Sequence, residues 1–154
     1  MPGGWERVGS GEGWLVQRPI VPEFDTETYV VWKSRQLERF ELHHGFIVAF
    51  AGGTFAHDQI GFNLRTAFQH LFPPPCRSFG SDMKVQVGER NVYYSDAGVT
   101  CDVLPDDAVV VDAPHVVAEV SSPGTRAYDL IDKRAAYRKV ASRTTSASRS
   151  ETVR

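Results

Sequence analysis

Cysteine is scarce in this sequence. Only Cys76 and Cys101 occur in 154 residues, and they are far apart with no Cys-x-x-Cys spacing. Neither a disulfide framework nor a zinc site is indicated. The two read as buried reduced thiols, with the cytoplasm as the default compartment. Long apolar runs are missing too. FIVAFAGG, residues 46–53, is among the longest and falls well short of the ~20 residues that cross a bilayer. The opening stretch MPGGWERVGSGEGW has no basic segment followed by an apolar core, which predicts no secretory leader. No Walker loop, GxSxG or GxGxxG occurs, leaving nucleotide hydrolysis and serine-hydrolase chemistry without support. A net charge of -2 does not advertise a nucleic-acid binder.

The composition that remains is that of one folded domain. An apolar fraction of 42% and an aromatic fraction of 11% over 17.1 kDa suffice for a real core. Charge is unevenly spread. From Arg126 onward eight Lys/Arg face three acids, a surplus of about +5 that leaves about -7 for the rest. That basic segment either touches phosphates or is a solvated helix face and tail.

Residues 1–24 are rich in Gly and Pro and read as an extended lead-in, with Trp5 or Trp14 packing on the body. DTETYVVWKSRQLERF, 25–40, reads as a helix capped by Asp25 or Thr26, with Tyr29, Trp32 and Val30 inward. FELHHGFIVAFAGG, 40–53, reads as a β-hairpin turning near His43-His44-Gly45. In TFAHDQIGFNLRTAFQHLF, 54–72, Ile60, Leu64, Ala67, Phe68 and Leu71 recur at helical spacing, and the prolines at 73–75 stop the helix. Three strands follow, in CRSFGSDMKVQV, NVYYSDAGVTCD and HVVAEVSS, with a turn over Gly88 to Arg90 between the first two. AYDLIDKRAAYRKV, 127–140, reads as an amphipathic helix with Tyr128, Ile131, Ala135 and Arg138 on one side. Residues 141–154, dominated by Ser, Thr and Arg, read as a disordered polar tail. The element order predicts an α/β domain around a mixed sheet over 25–140.

Glu119 is the oddity in this pattern, because it stands in the valine strand HVVAEVSS, where burial of an unpaired charge is costly. Glu41 and Asp96 also fall at strand positions, and Lys133 follows on the last helix. Should the strands of Asp96 and Glu119 be neighbours, their carboxylates converge, and two like charges in a dry site resist joint ionisation. A hard divalent cation such as Mg²⁺ removes that conflict, since it takes a few carboxylate oxygens plus waters. Such an ion polarises a phosphoryl oxygen and activates a bound water, while a nearby lysine offsets developing charge. Duller readings exist for each residue: a strand-edge carboxylate, a surface lysine, or Glu41 paired with Arg39 or a histidine. No two of His43, His44 and His57 have i, i+4 spacing on a clear helix, which argues against a transition-metal site. Asp82-Met83-Lys84 is a bare acid-x-Lys triplet and reads as a surface strand pair.

Taken as a set, these residues resemble the bacterial Uma-type restriction endonucleases, a branch of the PD-(D/E)xK nuclease superfamily. The resemblance rests on a Tyr-x-x-Trp helix (Tyr29, Trp32), a Glu-Leu-x-x-Gly hairpin (Glu41, Leu42, Gly45) and an Ala-His step into a helix (Ala56, His57). SDMKVQV, YYSDAGVTCD and VVAEVSSPGTRAYDLIDKRAAYRK then come in the family's order, so about residues 26–139 are covered. It implies a restriction-endonuclease-like core with flanking helices that hydrolyses phosphodiester bonds in DNA with Mg²⁺ or Mn²⁺. A homodimer would let two such sites cut two strands.

Carried over by position, the resemblance makes Asp96 the first acid, with Ser95 where proline is usual. It makes Glu119 the second acid and the Val120 carbonyl a further metal ligand. Ser121 stands where a lysine is expected, and the resemblance moves that role to Lys133. Glu41 aligns with an acid that assists metal or water. The chain departs from the pattern after Lys139, where VASRTTSASRSETVR replaces a Pro-Ser-Leu turn and further hydrophobic strands. That departure predicts a truncation or a reading-frame change. Two other classes stay open: a nuclease fold that has lost activity and only binds DNA or protein, and a globular protein with coincidental acids.

Overall fold

A computed structural model describes residues 23–49, 53–112, 114–121 and 128–139. The lead-in with Trp5 and Trp14, the turn at Ser122-Pro123-Gly124 and the polar tail lie outside the described residues.

Helix α1, Thr26–Lys33, begins as expected: the Asp25 side chain accepts the Thr28 amide at 2.8 Å, satisfying one of the orphan donors of the first turn. It is shorter than the sequence suggested. From Ser34 to Arg39 no residue is buried, and Leu37 is 99% exposed. Tyr29 is fully buried against Leu42 and Val92, while Trp32, Val30 and Phe24 pack on the rim of that cluster. Thr26 ties the start of α1 to the Glu89 carbonyl through its amide and its hydroxyl.

Strands β1, Phe40–His43, and β2, Phe46–Ala49, form the expected hairpin. Its two turn residues, His44 and Gly45, both have positive φ, 51° and 85°, as a tight right-twisting hairpin requires. A Cβ at Gly45 would also displace the Arg90 guanidinium that lies over it.

Helix α2, Phe55–Leu71, is capped by Thr54, whose hydroxyl accepts the His57 amide. Its buried face is rotated from the expected one. Leu64 and Phe68 are half-buried and Gly61 is buried, but Ala67 is exposed, Ile60 is 49% exposed and Leu71 70%.

The next two expected strands are arms of one long hairpin turning at Gly88, and each arm is broken. The first arm comprises β3, Arg77–Gly80, and β4, Lys84–Gln86; the second comprises β5, Val92–Tyr94, and β6, Ala97–Thr100. Lys84 pairs with Tyr94, whereas Gly80 pairs with Ala97. Three residues, 81–83, therefore stand opposite two, Ser95 and Asp96. That mismatch is a bulge, which bends a strand and re-aims side chains. It also divides the hairpin between two sheets. Strand β7, Val110–Asp112, was not anticipated in the sequence; it pairs in parallel with β4. With β8, Val116–Ala118, the orders are β2-β1-β5-β4-β7 and β3-β6-β8. The described residues thus form a mixed α/β fold with a five-stranded mixed sheet, a second sheet and three helices.

The third helix, α3, starts as a π-helical segment, Tyr128–Lys133, and continues as α-helix over 134–139. Of its expected inward face, Ile131 is 67% exposed and Ala135 and Arg138 are exposed, while the Tyr128 side chain lies outside the described ones. Lys133, Ala136 and Tyr137 point inward instead, and Ala136 joins the main core of Phe79, Val85, Val87, Tyr93 and Val111.

The thiol reading is corrected. Cys76 and Cys101 form a disulfide, because Arg77 pairs with Thr100 and places the flanking cysteines opposite each other. A separation of 25 residues in the sequence conceals that proximity. Among the described residues no helix is long and apolar enough to cross a membrane.

Candidate active site

Asp96 sits at the bulge between β5 and β6, and Glu119 lies one residue past β8. Since Ala97 pairs with Ala118 in antiparallel register, Asp96 and Glu119 stand opposite each other across the two strands. The Asp96 amide donates to the Ala118 carbonyl at 3.1 Å, and its Oδ2 accepts the Val120 amide at 2.6 Å. Val120 thus enters the site through its N–H. Gly61 of α2 faces this loop; a Cβ there would lie 3.5 Å from the Asp96 carbonyl oxygen.

Lys133 and Glu41 approach from the other side, and both are 1% exposed. Glu41 Oε1 accepts from the Lys133 ammonium at 2.9 Å and from the Tyr94 amide at 2.9 Å. The alternative of Glu41 pairing with Arg39 is not what forms, since Arg39 pairs with Asp82 instead. Lys133 Nζ also lies 3.6 Å from Glu119 Oε1 and 5.4 Å from the centre of the Tyr93 ring. All four side chains singled out in the sequence therefore belong to one cluster, joined by contacts from Glu41 through Lys133 to Glu119 and across the strand pair to Asp96.

Two members were not anticipated as partners. His57 Nε2 is 3.1 Å from Asp96 Oδ1, and the Tyr137 hydroxyl donates to Glu119 Oε1 at 3.0 Å. Tyr137 could have been found, because it lies four residues after Lys133 and shares its helix face. His57 carried no such signal, since its partner is distant in sequence.

Burial pushes the Glu119 carboxyl up to about 8, with Glu41 and Asp96 adding to the rise and Lys133 and Tyr137 opposing it. Burial, with Glu119 second, likewise drives the Tyr137 hydroxyl far above its ordinary range, so Tyr137 stays a donor. Removing a carboxylate from water disfavours its charged form, and neighbouring acids do the same. A divalent cation between Asp96 and Glu119 would reverse both effects. Among the described residues no group of three or more His, Cys, Asp or Glu could hold a metal. Two opposed carboxylates still fit Mg²⁺, which keeps several waters and commonly binds through one or two carboxylates plus substrate phosphates.

Residues 26–143 match the model of the family described as "Uma2: Putative restriction endonuclease". Over 111 residues the chain is 39% identical to "Uncharacterized protein slr1290" of Synechocystis sp., an alignment spanning 70% of this chain and 58% of that relative's length.

Proposed function

Since the chain belongs to the Uma2 family of restriction endonucleases in the PD-(D/E)xK class, we propose that it is a metal-dependent endonuclease hydrolysing phosphodiester bonds in DNA. The observation that carries this reading is the opposition of Asp96 and Glu119 across β6 and β8, with the Lys133 ammonium 3.6 Å from Glu119. Asp96 and Glu119 would hold Mg²⁺ or Mn²⁺, with the Val120 carbonyl as a further ligand. When bound, the ion polarises the scissile phosphoryl oxygen and lowers the pKa of its water.

The chain's own residues do the rest. Lys133 brings a fixed positive charge to where negative charge builds on the phosphoryl oxygens, and in a water-poor site that is worth far more than in solvent. Glu41 acts on Lys133, its carboxylate holding the ammonium in place at 2.9 Å. His57 steers Asp96 through Oδ1, in the way outer partners orient metal ligands. Tyr137 does the same for Glu119. Two copies pairing as a homodimer would present one such site to each strand of a duplex.

Plasmid nicking with purified protein tests this, with and without Mg²⁺ or Mn²⁺, for wild type and Asp96→Ala. Metal-dependent nicking that disappears in the variant is expected. Cleavage that survives Asp96→Ala would sink the site assignment. DNA binding with no cleavage under any condition would favour a nuclease fold that now serves only as a binding module.

A further inference from the structure

A cleft of about 600 Å³ lies between α2 and the bulged end of the β3–β4 arm, and Asp96 lines it. Its helical wall is a stripe at every fourth residue, His57, Gly61 and Arg65, which successive turns stack on one face. The opposite wall includes Ser78, Gly80 and Ser81. Small residues on both sides keep the floor close to backbone, which admits a bulky ligand.

Arg65 crosses this cleft. A Cβ built at Gly80 would lie 3.5 Å from Arg65 Cδ and 3.6 Å from its Nη1, so the guanidinium group extends over the glycine. Arg39, also in the cleft, pairs with Asp82. Asp58 adds a negative charge to the wall, so the cleft is not uniformly basic. Arg65 makes no ion pair or hydrogen bond among the described residues. It is eight residues from His57, roughly 12 Å along the helix axis, and His57 touches Asp96.

The geometry points to this cleft as the seat of one DNA strand, with Arg65 gripping a phosphate near the one at Asp96. The inference rests on the nuclease reading of the site, but its test does not use cleavage. Binding of a short fluorescent duplex is titrated over a salt series in EDTA, for wild type, Arg65→Ala, Arg65→Lys and, as a basic control on α3, Arg138→Ala. Losing one phosphate contact makes the slope of log affinity against log salt shallower by about 0.9, and it weakens binding about equally for all duplex sequences.

Arg65→Ala is expected to show that change, Arg65→Lys to recover most of the slope, and Arg138→Ala to match wild type. Wild-type slope in Arg65→Ala overturns the inference, as does a loss confined to Arg138→Ala or no duplex binding by wild type. A slope change in Arg65→Ala supports the cleft even if Mg²⁺ yields no nicking, in which case the nuclease reading fails and the strand seat stands.

Discussion

Glu41 and Glu119 both face Lys133, and the difference between their surroundings separates an anchoring half of the cluster from the half proposed to react. Glu41 lies in the first sheet, where two N–H donors at 2.9 Å hold one of its oxygens. Glu119 lies past the end of the second sheet, 3.6 Å from the same ammonium, with a phenol as its hydrogen-bond donor. The lysine is thus committed to Glu41 and only leans toward Glu119. One carboxylate anchors the cation, and the other is left short of positive charge, which a bound ion would supply. The same division separates the two faces of Asp96: its Oδ2 is held by the Val120 amide, while its Oδ1 meets His57 in the cleft.

Removing Lys133 should break the comparison most severely. Lys133→Met leaves Glu41 buried without its cation, a loss of about 3–5 kcal/mol by denaturant unfolding. Adding Glu41→Gln should recover much of that, because the stranded charge goes with it. If the double variant is no more stable than the single one, Glu41 is not the member that anchors the lysine.

Glu119→Gln should act in the opposite direction, and in a pH-dependent way. A carboxyl raised from 4.5 to about 8 keeps its proton in the folded state over a range where the unfolded chain has released it. Wild-type stability should therefore fall as pH rises from about 4.5 to about 8 and lose nothing more to this group above that. Glu119→Gln should flatten that slope and be the more stable protein, by a few kcal/mol, at the alkaline end. Metal-free urea melts across this range check it; parallel pH profiles would show that Glu119 is not the strained partner. Calorimetry adds a second readout: Mg²⁺ uptake should strengthen toward alkaline pH in wild type and vanish in the variant.

Gly98→Ala probes whether the second sheet positions the reactive half. A Cβ there would collide with the Phe79 ring, and overpacking of this kind costs about 1–3 kcal/mol. Because Gly98 lies two residues from Asp96 on β6, weaker Mg²⁺ binding should accompany the lower melting temperature. The smallest effect is expected from Asp25→Ala, which removes the α1 cap far from either carboxylate pair. It should cost about 1 kcal/mol of stability and leave Mg²⁺ affinity unchanged.

Local rules carried parts of the sequence reading far. The His44-Gly45 turn, the Asp25 cap and the start of α2 each depend on residues within a few positions of one another, and each formed where expected. Phase was less legible. Apolar periodicity put Ile131, Ala135 and Arg138 inward, yet the helix buries Lys133, Ala136 and Tyr137. A lysine is scored as a surface residue until its carboxylate is in view, and the widened π-helical turn shifts the register of the α-helical turns after it. Likewise the two hairpin arms read as unbroken strands, because nothing local marks a three-against-two mismatch at 81–83 and 95–96.

By itself, the sequence determined the family and singled out the side chains proposed to carry the chemistry, Glu41, Asp96, Glu119 and Lys133. It also determined the elements whose signals are local. Tertiary structure alone decided that Glu41 holds Lys133, that His57 and Tyr137 join as partners, that Cys76 reaches Cys101, and that Arg65 crosses the cleft beside Asp96. The physical reason is reach. Caps and turns are settled over a few residues, whereas these contacts join positions as much as 92 residues apart or depend on which face of a helix turns inward, and strand register and packing fix both.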